Sequence, residues 1–249
     1  MQTTGQTILV TGGTSGIGLG LAMRWQAAGN TVVVAGRRTE LLDRIAAEHP
    51  GIGTVQLDVT DPASIAAAVT DVVARFPELD VVVTAAGIML PEDVRDPAAL
   101  GVAEDTVTTN LLGTIRTVSA VLPHLLGRPE AAVLTVSSGL AFVPLAVTPT
   151  YNATKAAVHQ YTEGLRLQLA GTTVRVHELV PPAVQTTLMG QQDSPQAMPL
   201  AEYLDETIEL LTADPDADEV LVDRVRFLRF AEVEGRYAAT VAAVNGHPI

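Results

Sequence analysis

The sequence has no cysteine and a single lysine, Lys155, among 15 basic residues. Without cysteine, disulfide scaffolds, thiolate nucleophiles, iron–sulfur clusters and cysteine-ligated zinc are excluded, and nothing calls for an oxidising compartment. Basic charge is scarce overall: 28 acidic residues oppose those 15, for a formal net charge of −13. A surface of that sign repels phosphate backbones and anionic membranes, so neither nucleic acid nor a membrane is an expected partner. Long apolar runs are also missing. The hydrophobic stretches are short and broken by Gly, Pro or Asp, and residues 1–6 lack the basic and apolar regions of a signal peptide, which predicts a cytoplasmic protein. What remains is a chain of 249 residues, 47% hydrophobic and 17% charged, long enough to bury a large core and too apolar to be disordered.

Short β-branched runs alternate with longer helical patterns, the signature of strand–helix–strand units and a parallel sheet covered on both faces. Strands are expected at 7–11, 31–35, 53–57, 79–84, 131–136, 173–179 and, more weakly, 219–222. Helices are expected at 16–28, 40–48, 62–75, 105–126 and 150–170, with an amphipathic helical stretch over 224–245. The expected fold is therefore α/β, a single doubly wound, Rossmann-like parallel sheet of about seven strands. Connections are short, so residues 1–249 are read as one domain without a linker. Residues 185–204 break the rhythm: they are polar and loop-forming yet studded with Leu and Met, and are read either as a mobile lid over a pocket or as a surface insertion.

Directly after the first strand comes Thr11-Gly12-Gly13-Thr14-Ser15-Gly16-Ile17-Gly18, and a helical pattern follows at once. Glycines at such a turn let the backbone approach a pyrophosphate, and the helix that opens there offers free N–H groups and its positive dipole end. The position, more than the glycines alone, points to a dinucleotide. After the second strand, where an acidic residue would accept a free adenosine ribose, this chain has Arg37 and Arg38. Two guanidinium groups suit a 2′-phosphate, favouring NADP(H) over NAD(H); they could otherwise be solvated charges at a helix start. Asp58, beside Val59 at the end of the third strand, could meet an adenine edge or simply cap a turn.

Tyr151 and Lys155, four apart in a helical pattern, share one helix face. A cation beside a phenol favours the phenolate and is expected to lower its pKa toward the range of a general acid or base. With one lysine and four tyrosines, this spacing arises by chance in about one such chain in 60, a low false-positive rate for a short motif. Ser138, at the C-terminal end of the fifth strand, is placed where ligands bind in open parallel sheets, although a serine there also caps turns. Asn110 is polar within a mostly apolar helix and must be hydrogen-bonded, either to backbone or to an ordered water. The five histidines form no short-spaced ligand pair, and no metal is expected.

Taken together, Thr11 to Gly18, Asn110, Ser138 thirteen residues before Tyr151, and Tyr151-x-x-x-Lys155 resemble the short-chain dehydrogenase/reductases, over at least residues 5–190. The segments 137–144 and 178–186 resemble the branch named after the dehydrogenase of the D-alanyl lipoteichoic acid operon, a branch of mostly uncharacterised oxidoreductases. The resemblance implies reversible hydride transfer between NADP(H) and a ketone, aldehyde or secondary alcohol. Tyr151 would be the proton donor, Lys155 would lower the phenol's pKa and bind the nicotinamide ribose, Ser138 would bind the substrate oxygen, and Asn110 would hold a water leading to Lys155. Cofactor contacts are implied for Gly12, Thr14, Ser15, Gly16, Ile17 and Gly18, and for Arg37, Arg38, Asp58 and Val59. Further contacts are implied for Ala86, Gly87, Tyr151, Lys155, Pro181, Val184 and Thr186. Assembly as a homodimer or homotetramer through the two long helices is also implied. Thr84-Ala85 stand where the family usually has asparagines, and Pro181-Pro182 where it has Pro-Gly.

Met89, Leu90, Leu140, Phe142, Pro182, Leu188 and Met189 are expected to wall the pocket, a lining suited to a medium-sized apolar ketone, though each could equally fill the core. The expected activity is thus that of a carbonyl (keto) reductase. The rival from another class is a non-catalytic protein that senses NADP and regulates a partner; such proteins typically lose the tyrosine or lysine, and both are kept here. Extended nucleotide-sugar epimerases share the pair but need a further substrate domain for which this chain has no room.

Overall fold

The computed structural model describes residues 1–246. Six runs with Val, Ile or Leu form the strands β1 (Thr7–Thr11), β2 (Thr31–Gly36), β3 (Ile52–Gln56), β4 (Leu79–Thr84), β5 (Ala131–Val136) and β6 (Val174–Leu179), and the pair Glu219–Val220 adds the short strand β7. All pair in parallel, in the order β3-β2-β1-β4-β5-β6-β7. Alternation along each strand feeds two cores. Ile8, Val10, Val32, Val34, Val81 and Val83 point to one face; Leu9, Val33, Val82 and Val133 point to the other. On the first face lie α1 (Gly16–Ala27), α2 (Thr39–Glu48) and α7 (Leu200–Ala213); on the second lie α3 (Pro62–Arg75), α5 (Gly113–Leu125) and α6 (Pro149–Leu169). α3 starts where it does because Asp61 accepts from the Ala63 amide at 2.9 Å and Pro62 occupies the first turn.

The chain steps from β1 outward to β2 and β3, then returns to place β4 on the other side of β1. This reversal opens a crevice beyond the C-terminal ends of β1 and β4, where ligands of doubly wound sheets bind.

Three expectations need correction. The helix expected at 105–126 begins earlier, as α4 (Leu100–Thr106), and passes through a wider π-helical turn at Val107–Leu112 before α5. The irregular segment expected to reach residue 204 ends at Pro199, because α7 buries Tyr203, Leu204, Thr207 and Leu211 along one helical face. Gly20 admits this packing: a Cβ there would come within 2.3 Å of Leu204 Cδ1. The stretch expected as one helix over 224–245 is two, α8 (Asp223–Arg229) and α9 (Tyr237–Asn245), because the chain reverses at Gly235 with φ 68°. α9 is clasped to the sheet's C-terminal edge by Asn245, which accepts from the Ala146 amide at 2.7 Å and donates to Pro144 O at 3.0 Å. His247 lies outside the described residues.

Candidate active site

A cavity of about 1150 Å³ occupies the crevice. One end is made by the turn between β1 and α1. Gly12 has φ 66°, and a Cβ there would lie 2.7 Å from the Ala86 backbone; a Cβ on Gly18 would lie 2.5 Å from Gly12 O. Only glycines let the turn press against the end of β4 and the first turn of α1 in this way. α1 opens at Gly16 with no side-chain cap from Ser15, so its first amides keep their capacity for an anion. Thr14, Ser15, Gly16, Ile17 and Gly18 all line this end. Arg37 and Arg38, both exposed, stand on the wall just past β2. Val59, Ala86, Gly87, Pro181, Val184 and Thr186 also reach the cavity, as the sequence predicts for cofactor contacts. Backbone amides at a helix start, glycines without Cβ atoms and two guanidinium groups fit a dinucleotide phosphate ester.

Asp58 does not reach the wall. Its Oδ1 accepts from the Thr60 amide at 2.9 Å and the Thr60 hydroxyl at 2.7 Å, capping a turn, and Thr60 takes the place on the cavity surface.

At the other end, Ser138, Tyr151 and Lys155 meet on the cavity floor. The first turns of α6 carry Tyr151 and Lys155, both buried, with the Lys155 ammonium 5.6 Å from the centre of the phenol ring. Lys155 Nζ donates to Val136 O at 2.8 Å, which ties the helix to the end of β5. Ser138 Oγ accepts from the Leu140 amide at 3.1 Å, so it caps the turn Gly139–Ala141 while lining the cavity. Burial pushes the Tyr151 phenol up to about 12, with the Ser138 hydroxyl acting against the rise as a hydrogen-bond partner. The expected lowering by Lys155 is outweighed, because desolvation of the phenolate dominates and burial also pulls the ammonium itself down to about 8. At neutral pH the phenol is a proton donor and the ammonium is mainly charged.

Asn110, placed inward by the π-helical turn, lies under the floor rather than on it. Its Oδ1 accepts from the Ile88 amide at 2.8 Å and its Nδ2 donates to Ile88 O at 2.9 Å. Nδ2 is also 3.3 Å from Thr154 Oγ1 on α6. The side chain therefore braces the chain after β4 against α6, in the region where the family's asparagines are missing.

The wall beyond the floor contains Met89, Leu90, Leu140, Pro182, Leu188 and Met189, as expected. Phe142 is a correction: its ring stands outside the cavity, edge-on to the His159 imidazole at 4.8 Å and under the Arg229 guanidinium at 4.5 Å. A cationic partner and a histidine edge hold it on the far side of the turn. Sequence reasoning missed Leu145, Gln191 and Gln196, and above all Leu228 of α8 with Ala243 and Val244 of α9. No local motif marks them; they reach the site only through the fold of the last two helices. Val184 and Met198 pair as a single bridge across the ends of the segment 185–199, and within it Met189 and Gly190 adopt left-handed conformations with φ 56° and 67°.

The model of the short chain dehydrogenase family matches residues 6–197. An uncharacterised oxidoreductase of Bacillus subtilis, DltE, is 41% identical over 189 residues, 76% of this chain and 75% of that protein. The NADP-dependent 3-hydroxy acid dehydrogenase YdfG of Salmonella typhi is 35% identical over 181 residues, 72% and 73% of the two chains. A short chain dehydrogenase from Burkholderia cenocepacia, solved in complex with NADP, superposes with a TM-score of 0.84 at 26% identity, covering 98% of both chains.

Proposed function

The chain belongs to the short-chain dehydrogenase family, and from that premise we propose that it is an NADP(H)-dependent carbonyl reductase acting on medium-sized, neutral, apolar ketones or aldehydes. The observation that carries this reading is the meeting of Ser138, Tyr151 and Lys155 on the floor of one cavity whose other end is the glycine turn with Arg37 and Arg38. The NADP-bound Burkholderia structure and the NADP-dependent Salmonella relative support the cofactor.

When bound, NADP(H) supplies the hydride. The protein's part is geometry and proton supply. Ser138 orients the carbonyl oxygen toward the phenol, and Tyr151, kept protonated by burial, donates its proton to the oxygen as negative charge develops there. The Lys155 ammonium, anchored on Val136 O, stabilises the phenolate left behind. Asn110 keeps residues 88 and 154 in register beneath the floor. In the reverse direction the phenolate accepts the alcohol proton, so oxidation should accelerate with rising pH while reduction does not need high pH.

The substrate class follows from charge. Among the described residues the charged side chains on the cavity wall are Arg37, Arg38 and Lys155; the two arginines stand at the cofactor end and Lys155 is bonded to Val136. A carboxylate seated among Met89, Leu140, Leu228 and Val244 would be desolvated without a partner. The 3-hydroxy acids named for the Salmonella relative carry such a carboxylate. For a 3-oxo acid and its methyl ester assayed by NADPH absorbance, the ester should be favoured in kcat/KM by about a hundredfold or more, roughly 3 kcal/mol. Equal turnover of the two would overturn the apolar assignment. A flat trace across a ketone panel alongside tight NADPH binding would instead support the sensing protein.

Cofactor choice is tested separately. Replacing both Arg37 and Arg38 by alanine removes the charge-assisted contacts proposed for the 2′-phosphate, and the NADPH-to-NADH ratio of kcat/KM should fall by about tenfold to a hundredfold. An unchanged ratio would assign the arginines to the solvated surface.

A further inference from the structure

On the sheet face covered by α6 lies a group of charges outside the cavity wall. Glu178 of β6 is fully buried, opposite Thr135 of β5 and Glu219 of β7 in register. Its Oε2 is 2.8 Å from His159 Nδ1, while its Oε1 has no hydrogen-bond partner. Glu219 approaches the same histidine nitrogen at 3.8 Å and is held by Arg229 of α8, whose Nε lies 2.9 and 3.1 Å from its two oxygens. Glu163 of α6 stands 3.9 Å from the other ring nitrogen. Lys155 is one turn before His159 on α6 and is anchored on Val136, the residue after Thr135. His177, next to Glu178 on β6, turns to the opposite face and meets the N-terminal amine at 3.2 Å.

A buried ammonium bonded only to a neutral carbonyl is costly, and so is a buried carboxylate with an unused oxygen. The two lie in one layer between α6 and the sheet: Glu178 pairs in register with Thr135, and Lys155 bonds the carbonyl of Val136, the next residue. We propose that Glu178 is the buried counter-ion of Lys155, a positioning residue that keeps the ammonium charged, and that His159 fixes Glu178 in that role. The inference deepens the reading of Lys155 as the charged member of the site and rests on it. Its electrostatics agree: burial pulls Lys155 down, Glu178 is the charge that acts upward on it, and the Glu178 hydrogen bond holds His159 above the usual imidazole value.

A divalent cation is the competing occupant, since one ligand atom from each of His159, Glu178 and Glu219 lies within 4.8 Å of the others. The cation positions are already taken. Arg229 pairs with Glu219, and Glu178 Oε2 already lies 2.8 Å from His159 Nδ1, so the ligand atoms a metal would need are engaged by one another and by the guanidinium.

The single lysine makes the test direct. Protein grown on lysine labelled with carbon-13 at Cε gives one ε resonance, that of Lys155, and its titration without cofactor or substrate should have a midpoint near 8. Glu178→Gln should lower that midpoint by about one pH unit or more, and Glu178→Asp, which keeps the charge, should restore most of it. His159→Gln should lower it part of the way, because Glu178 loses the imidazole contact that fixes it in the layer beside the ammonium. A folded Glu178→Gln protein with the wild-type midpoint would overturn the proposal; were Glu178→Gln not to fold, an unmoved midpoint in His159→Gln would overturn it. A saturable shift of the resonance on adding Zn²⁺ to the wild-type protein would do so as well, by making the cluster a metal site. The titration is read whether or not the chain reduces ketones, so its failure and that of the proposed activity are told apart by the NADPH assay.

Discussion

Tyr151→Phe is expected to lower kcat for ketone reduction by about 10²–10⁴-fold, the range for loss of a positioned general acid, while NADPH dissociation changes little. The substitution is clean because the ring is buried and serves as packing as well as chemistry. Phenylalanine keeps the ring and its face toward the Lys155 ammonium at 5.6 Å, and removes only the hydroxyl. The proton then has to come from water, which the buried floor supplies poorly. Steady-state turnover with fluorescence titration of NADPH separates the two quantities. Turnover within a few-fold of wild type would remove Tyr151 from the chemistry and with it the proposed reaction.

The second large effect is expected from Lys155→Arg, conservative in charge and not in shape. The ammonium sits buried, with one short bond to Val136 O. A guanidinium brings five donors in a planar fork, more volume and a charge that does not titrate in this range. With one carbonyl in reach, several of those donors would be buried unpaired, and the fork would displace either the phenol or the substrate oxygen from line. A displacement of about 1 Å costs roughly a hundredfold in rate, so kcat should fall by about 10²-fold or more, with a lower melting temperature. Lys155→Met provides the comparison: if arginine performs no better than methionine, the site requires the shape of the ammonium and not merely its charge. If arginine restores near-normal turnover, the lone lysine is only a compositional accident in an arginine-rich chain.

Most of the fold and the cofactor end were readable from the sequence because their causes are local. A β-branched run makes a strand whatever follows it, and a glycine turn between strand and helix needs only neighbouring residues to define it. The helix face that carries Tyr151 and Lys155 is equally local, set by a spacing of four. The pocket was readable in part. Met89, Leu140 and Pro182 follow strand ends and must lie at the sheet's C-terminal edge, whereas Leu228 and Val244 reach the cavity from helices whose docking depends on the reversal at Gly235 and the clasp of Asn245. Phe142 shows the converse. Its position beside Ser138 suggested the pocket, but Arg229, 87 residues later, holds the ring on the other side. The Tyr151 phenol departs from expectation for an energetic reason: spacing reveals a nearby cation but not how completely the pair is removed from water.

The clasp that Asn245 makes with residues 144 and 146 has a consequence for how such a chain diversifies. The family match ends at residue 197, while α8 and α9, beyond it, supply Leu228, Ala243 and Val244 to the wall. The floor with Ser138, Tyr151 and Lys155 and the glycine turn thus lie in one stretch of polypeptide, and part of the pocket wall in another, held to it and to the sheet by the Asn245 side chain, the Arg229–Glu219 pair and the packing of Val225 and Leu228 around Gly139. On the proposed function, substitutions in these two helices would re-tailor which carbonyl is admitted, while the floor laid down before them stays as it is.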